Sequence, residues 1–218
     1  MFTGITQGTA ELSAVTPADG FRTLVLRLPP PLLTDLRIGA SVCVDGVCLT
    51  VVSVEGEAVS FDVSDGTLRL TNLGDRRPGE RVNVERSARS GDENGGHVLS
   101  GHVSGTAPIT AINTGSGPLF LEVEIPEPHR RYVFLRGYLA LNGASLTVAD
   151  IDAGLGRYRI NLIPETIRQT GFAAYKVGQR VNYEVELQTQ IMVDTIERCI
   201  QQSLAGLGLR AEPPPVSG

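Results

Sequence analysis

Along most of the chain, apolar and polar residues alternate with the two-residue period of β-strands. Ser41-Val42-Cys43-Val44 and Leu49-Thr50-Val51-Val52-Ser53-Val54 are short β-branched runs, and Asp45-Gly46 between them is a hairpin signal. Glu55-Gly56-Glu57 then separates the second run from Ala58-Val59-Ser60-Phe61-Asp62-Val63. Leu139-Ala140-Leu141, the turn Asn142-Gly143 and Leu146-Thr147-Val148 repeat the arrangement. Short strands with turns at these intervals predict small antiparallel barrels rather than an open sheet, because closure removes unpaired edges. A helical period appears only from about Thr189, where Val193, Ile196, Ile200, Leu204 and Leu207 recur three or four positions apart. That stripe suits a helix packed on its own barrel, and equally a helix that meets its copies in an oligomer. The segment from Ala211 to Gly218 contains Pro213-Pro214-Pro215, cannot continue a helix and is expected to be disordered.

The strand pattern occurs twice. Gly46-Val47-Cys48-Leu49-Thr50-Val51 returns as Gly143-Ala144-Ser145-Leu146-Thr147-Val148, an offset of 97 (48 to 145), and Gly8-Thr9-Ala10 returns as Gly105-Thr106-Ala107 at the same offset. Thr67 matches Thr166, Gly79 matches Gly178, and Arg81-Val82-Asn83 matches Arg180-Val181-Asn182, all at 99 (67 to 166). A two-residue insertion between Ala149 and Tyr158 accounts for the change. One long period seen twice means duplicated domains, not a solenoid. Two similar domains imply two similar sites.

At 218 residues, each half is large enough for a small core of its own. A net charge of -5 argues against nucleic acid or an anionic membrane as partner. No run approaches the roughly 20 apolar residues of a membrane span, and the first residues do not read as a signal peptide. Three cysteines, Cys43, Cys48 and Cys199, are too few for a disulfide framework and fit a reducing cytoplasm.

Five stretches in order carry a resemblance: Met1-Phe2-Thr3-Gly4-Ile5, Asp45-Gly46-Val47-Cys48-Leu49-Thr50-Val51, Gly95-Gly96-His97-Val98-Leu99-Ser100-Gly101-His102, Asn142-Gly143-Ala144-Ser145-Leu146-Thr147-Val148 and Leu162-Ile163-Pro164-Glu165-Thr166. Together they resemble the riboflavin synthase family from Met1 to about Ile200. The resemblance implies an all-β fold of two tandem six-stranded Greek-key barrels. These would occupy residues 1–96 and 97–187, with a C-terminal helix at 188–209 joining a homotrimer and a tail at 210–218. It implies a cofactor-free dismutation, in which two molecules of 6,7-dimethyl-8-ribityllumazine give riboflavin and 5-amino-6-ribitylaminouracil. Association with lumazine synthase is a further expectation on the same ground.

The resemblance also implies the site residues. Gly4, Ile5 and Thr6 align with Gly101, His102 and Val103, and these paired stretches are expected to line the two pockets through their backbones. Cys48, Leu49 and Thr50 correspond to Ser145, Leu146 and Thr147; strand alternation sends the polar members to one face and the leucine to the other. Asp62, Val63, Ser64, Asp65, Gly66 and Thr67, with Leu162, Ile163, Pro164, Glu165, Thr166 and Ile167, are expected around the ring edge and ribityl chain, completed by Ser41 and Arg136. Cys48, His102, Ser145, Thr147 and Glu186 are the candidates for chemistry. An imidazole suits proton transfer near neutral pH, and His102 is preferred for that role, with His97 assigned to structure. The five-residue separation of the two histidines argues against a metal site. Four features depart from the family pattern: Arg136 for Lys, Tyr138 for Ser or Phe, Asp65-Gly66 for Lys-Glu, and Glu186 for Asp.

Two other classes compete. A lumazine or flavin carrier of the same fold would be expected to lose the Cys48-Leu49-Thr50-Val51 and Gly95-Gly96-His97 stretches, and both are present. The flavin barrel of a nicotinamide-linked reductase would need an Arg-x-Tyr-Ser motif and a glycine-rich nucleotide turn; Arg131-Tyr132-Val133 does not fit and no such turn exists.

Overall fold

The computed structural model describes residues 1–207. The expected disordered tail at 210–218, and the last two residues of the expected helix, lie outside them. The first half forms β1 (Gly8–Ala18), β2 (Phe21–Arg27), β3 (Ser41–Val44), β4 (Val47–Glu55), β5 (Ala58–Ser64) and β6 (Arg81–Arg86). The second forms β7 (Gly105–Asn113), β8 (Phe120–Glu124), β9 (Tyr138–Leu141), β10 (Ala144–Asp152), β11 (Arg157–Asn161) and β12 (Arg180–Val185). Each set closes into a six-stranded antiparallel barrel. The neighbour order β1-β2-β5-β4-β3-β6 is reproduced by β7-β8-β11-β10-β9-β12. The jump from the second strand to the fifth makes each a Greek key.

The hairpin signals mark the tight turns. Asp45 and Gly46 both take positive φ, as do Asn142 and Gly143, and β3–β4 and β9–β10 pair directly across them. Inside each barrel the alternating residues interlock: Leu24, Leu26, Val42, Val51, Phe61 and Val82 in the first, Ile109, Leu121, Leu139, Val148, Ile160 and Val181 in the second. These side chains are almost wholly withdrawn from water. Full burial of an aliphatic or phenylalanine side chain stabilises by about 1.5–3 kcal/mol relative to exposure.

An approximate twofold axis relates the barrels and runs through the segments that precede them. Phe2 forms an isolated antiparallel bridge with its own repeat equivalent, Leu99, each N–H donating to the other's carbonyl at 2.9 Å. Phe2 and Leu99 pack there with Cys43, Ala140 and Cys48 in a small third core. A buried polar network seals the barrel interface. The Asn83 side chain donates to the Asn142 carbonyl at 2.9 Å, and the Asn182 side chain donates to the Asp45 carbonyl at 2.7 Å. Arg76 pairs with the fully buried Asp45 carboxylate at 2.6 Å and also donates to the Tyr175 hydroxyl at 3.0 Å. Burial raises the Asp45 carboxyl above its usual range, opposed by the guanidinium beside it.

The C-terminal helix spans Leu187–Gly206, one residue earlier than the 188 expected. Only Val193 of its stripe is partly buried against the second barrel, while Ile196 and Ile200 are each 53% exposed. Tyr132 donates to Asp194 at 2.6 Å, and Arg131 pairs with Asp194 and Glu197, so polar contacts fix the helix and leave the stripe open. A helix packed wholly on its own barrel is therefore not what forms. No helix among the described residues is long and apolar enough to cross a membrane.

Candidate functional site

The two expected sites are built crosswise. The segment before the first barrel walls the pocket of the second, and the segment before the second walls that of the first. Ser145, on β10, donates its backbone N–H to the Gly4 carbonyl at 2.8 Å; Cys48, on β4, donates to the Gly101 carbonyl at 2.9 Å. Both glycines take positive φ, 73° and 78°. A Cβ on Gly4 would stand 2.5 Å from the Ser145 Cβ, and one on Gly101 would stand 2.6 Å from the Cys48 Cβ. Neither position admits a side chain without moving the strand it touches.

Each crossing segment is held by a buried carboxylate that the sequence reading missed. Glu85 Oε1 accepts from the Thr3 N–H at 2.6 Å and the Thr3 hydroxyl at 2.8 Å, and Oε2 accepts from the Gly4 N–H at 3.1 Å. Glu184 repeats this with the Ser100 N–H and hydroxyl, both at 2.7 Å, and the Gly101 N–H at 3.1 Å. The signal was available, because Glu85 and Glu184 follow the repeated Arg-Val-Asn and keep its offset of 99 (85 to 184).

The second-barrel pocket is an open cleft of about 230 Å³. Gly4, Ile5, Thr6, Ser145, Ile163, Glu165 and Thr166 line it, so seven expected site residues converge there. Thr147 follows Ser145 on the same strand face and is exposed, while Ile167 is half-buried against the second core. Pro164 opens the short helix Pro164–Gln169, in which Glu165 pairs with Arg168 and accepts from Gln169 at 2.9 Å.

The first barrel carries the equivalent frame. Cys48 is half-buried, Thr50 and His102 are exposed, and Ser41 pairs with Thr50 across the β3–β4 hairpin. Ser64 caps the short helix Asp65–Leu70, accepting from the Thr67 N–H at 3.3 Å, with Gly66 in its first turn. Asp62 accepts from Thr23 at 2.7 Å on the barrel exterior.

Some expected residues reach neither pocket with their side chains. Leu49, Val63 and Val103 are buried in the first core, and Leu146 and Leu162 in the second, as strand alternation dictates. Only their backbones can face a ligand. Arg136 stands exposed at positive φ in the turn before β9, the place Gly39 holds in the first half.

His97, expected to be structural, lies beside the second-barrel site. Its Nδ1 lies 2.6 Å from the Ser145 hydroxyl, and its ring stacks on Tyr138 with centroids 4.9 Å apart. Gly96 allows this approach, since a Cβ there would meet the Thr3 carbonyl at 2.3 Å. Burial lowers the His97 pKa and Glu186 works against the shift, so the ring is disposed to be neutral and able to accept a proton. Glu186 itself ends β12's run into the helix and accepts from the Thr189 hydroxyl.

Paired Greek-key barrels that exchange pocket walls define a class of duplicated two-site binding proteins. The lumazine binding domain family matches the chain twice, over residues 3–87 and 100–186. The riboflavin synthase of Escherichia coli (strain K12) is 43% identical over 201 residues, 92% of this chain and 93% of its own. That of Bacillus subtilis (strain 168) is 33% identical over 187 residues, 86% of each. The crystal structure of LumP complexed with riboflavin superposes with a TM-score of 0.79 at 25% identity, covering 85% of this chain and 100% of LumP. The chain belongs to the riboflavin synthase family.

Proposed function

We propose that this chain is a riboflavin synthase, converting two 6,7-dimethyl-8-ribityllumazine molecules into riboflavin and 5-amino-6-ribitylaminouracil by four-carbon transfer. The observation that carries this reading is the pair of equivalent crossed frames, Gly4 on Ser145 and Gly101 on Cys48, with unequal side chains at each. Two copies of one substrate must meet, one as donor and one as acceptor, and two homologous sites on one frame can each hold one. Holding reactants in reacting geometry contributes about 7–11 kcal/mol toward a barrier.

The chain's own residues supply binding and proton transfer. Thr67 and Thr166 offer hydroxyls to a polyol, and Ile163 offers a face for the ring. The acidity comes mostly from the substrate, whose ring methyl yields a carbanion delocalised into the heterocycle. Ser145, with the neutral His97 behind its hydroxyl, relays that proton in the second-barrel pocket; Cys48 and His102 serve the first. The enzyme works as a homotrimer in which the first barrel of one subunit faces the second barrel of another, with the exposed stripe of Leu187–Gly206 as the seam. It resides in the cytoplasm, and lumazine synthase is its supplier and companion.

A carrier is the second reading, favoured by the likeness to LumP. Higher identity to the synthases and the intact Cys48-Leu49-Thr50-Val51 and Gly95-Gly96-His97 stretches weigh against it. The deciding experiment mixes the purified protein with the lumazine, without cofactor or metal, and separates the products. One riboflavin per two lumazines consumed supports the synthase; tight binding without turnover makes it a carrier.

A further inference from the structure

We propose that Glu85 and Glu184 are positioning residues wired across the molecule: each sits in one barrel and sets the wall of the ligand pocket in the other. The inference rests on the two-pocket reading above. Glu85 lies on β6 of the first barrel, opposite Cys43. Its three hydrogen bonds fix Thr3 and Gly4, and the Gly4 carbonyl receives the Ser145 N–H of the second barrel. Glu184 lies on β12 of the second barrel, opposite Ala140, and through Ser100 and Gly101 reaches the Cys48 N–H of the first.

Three features separate this from ordinary core packing. All three groups that bond each carboxylate are donors, and no Lys or Arg forms an ion pair with either among the described residues. A carboxylate with both oxygens accepting is matched to that set, and charge-assisted bonds of this kind are the stronger ones. The chain of contacts ends at residue 48 in one half and at residue 145 in the other, a cysteine against a serine. And the crossing glycines lie against the strands they wall, with no room for a Cβ between them, so a shift of either segment is felt at that strand.

Glu85→Gln and Glu184→Gln keep the volume but offer one acceptor oxygen, turning an NH₂ toward a donor N–H. In the full-length protein, amide hydrogen exchange is read at Ser145 and Cys48. Glu85→Gln is expected to speed exchange at Ser145 about tenfold, the effect of weakening one bond by about 1.4 kcal/mol, with Cys48 unchanged. Glu184→Gln gives the reverse. Lumazine titration then shows the affinity of the second-barrel pocket falling about tenfold in Glu85→Gln, and of the first-barrel pocket in Glu184→Gln. Loosening confined to the carboxylate's own barrel, equal loosening of both amides, or no change in either overturns the wiring. Where a glutamine variant fails to fold, Glu85→Asp and Glu184→Asp keep both acceptor oxygens and carry the same crossed test. If lumazine binds neither pocket of the unaltered protein, the functional reading fails while the exchange pattern still decides the wiring.

Discussion

The two halves keep their frame and change their chemistry. Glu85 and Glu184, Gly4 and Gly101, Asn83 and Asn182, Thr50 and Thr147, Thr67 and Thr166 are identical pairs at the offsets of 97 and 99. They hold turns, crossing segments and threonine hydroxyls in the same places. At and beside the expected site positions the pairs differ: Cys48 and Ser145, Ile5 and His102, Ser41 and Tyr138, Asp65 and Pro164. A protein that bound two identical ligands for identical purposes would have no physical reason for that division. Donor and acceptor need the same shape recognised and different protons moved, which this division supplies.

The barrel interface shows a second version of the contrast. The first half places Asp45 with Arg76 where the second places Asn142 with Tyr175, a buried ion pair against a neutral hydrogen-bonded pair. Arg76→Ala should be the most damaging change, leaving Asp45 buried and unpaired at a cost of about 3–5 kcal/mol; chemical denaturation measures it. Converting the pair to the other half's kind, Asp45→Asn with Arg76→Tyr, should recover most of that loss. Gly4→Ala and Gly101→Ala come next. Each adds a left-handed strain and a collision with the facing pocket strand, so kcat/KM should fall about 100-fold, a barrier change of roughly 2.7 kcal/mol. His97→Ala should lower kcat about 30-fold with a smaller change in KM, since it removes the hydrogen-bond partner of the Ser145 hydroxyl. Cys48→Ala should lower turnover only a few-fold and leave fold and assembly intact; unchanged turnover would make Cys48 a packing residue.

The smallest effect separates buried groups by sign. Burial lowers the His97 pKa, so an unfolded chain takes up its proton first as pH falls below about 6.5, and the stability His97 contributes is lost through that window. Burial raises the Glu85 and Glu184 carboxyls, the Thr3 and Ser100 hydrogen bonds opposing it. Folded protein then holds protons that the unfolded chain releases, and this contribution falls as pH rises above the ordinary carboxylate value of about 4.5. Stability curves of His97→Gln and Glu85→Gln against the unaltered protein should therefore bend in opposite directions.

Much of this was legible beforehand. Period-two alternation and the Asp45-Gly46 and Asn142-Gly143 turns identified strands and hairpins because tight turns demand those residues. The repeat revealed two barrels because a duplicated sequence duplicates its hydrogen-bond register. What alternation could not reveal is which segment crosses to which barrel, since Thr3 to Thr6 and Ser100 to Val103 are not strands and carry no period. The contact of His97 with Ser145 was hidden for that reason, because it depends on the bend at Gly95-Gly96. The leucines of the two pocket strands were counted as ligand contacts by family alignment, although their own alternation turns them into the cores.

The most direct test of two unlike pockets meeting across subunits is complementation. Gly101→Ala disables the first-barrel pocket and Gly4→Ala the second, so each variant alone should be nearly inactive toward 6,7-dimethyl-8-ribityllumazine. After the two are unfolded and refolded together, an intact first pocket of one chain can face an intact second pocket of the other. Riboflavin formation well above the sum of the separate variants is the predicted result. A mixture no more active than its parts, with both variants folded and assembled, would contradict the account.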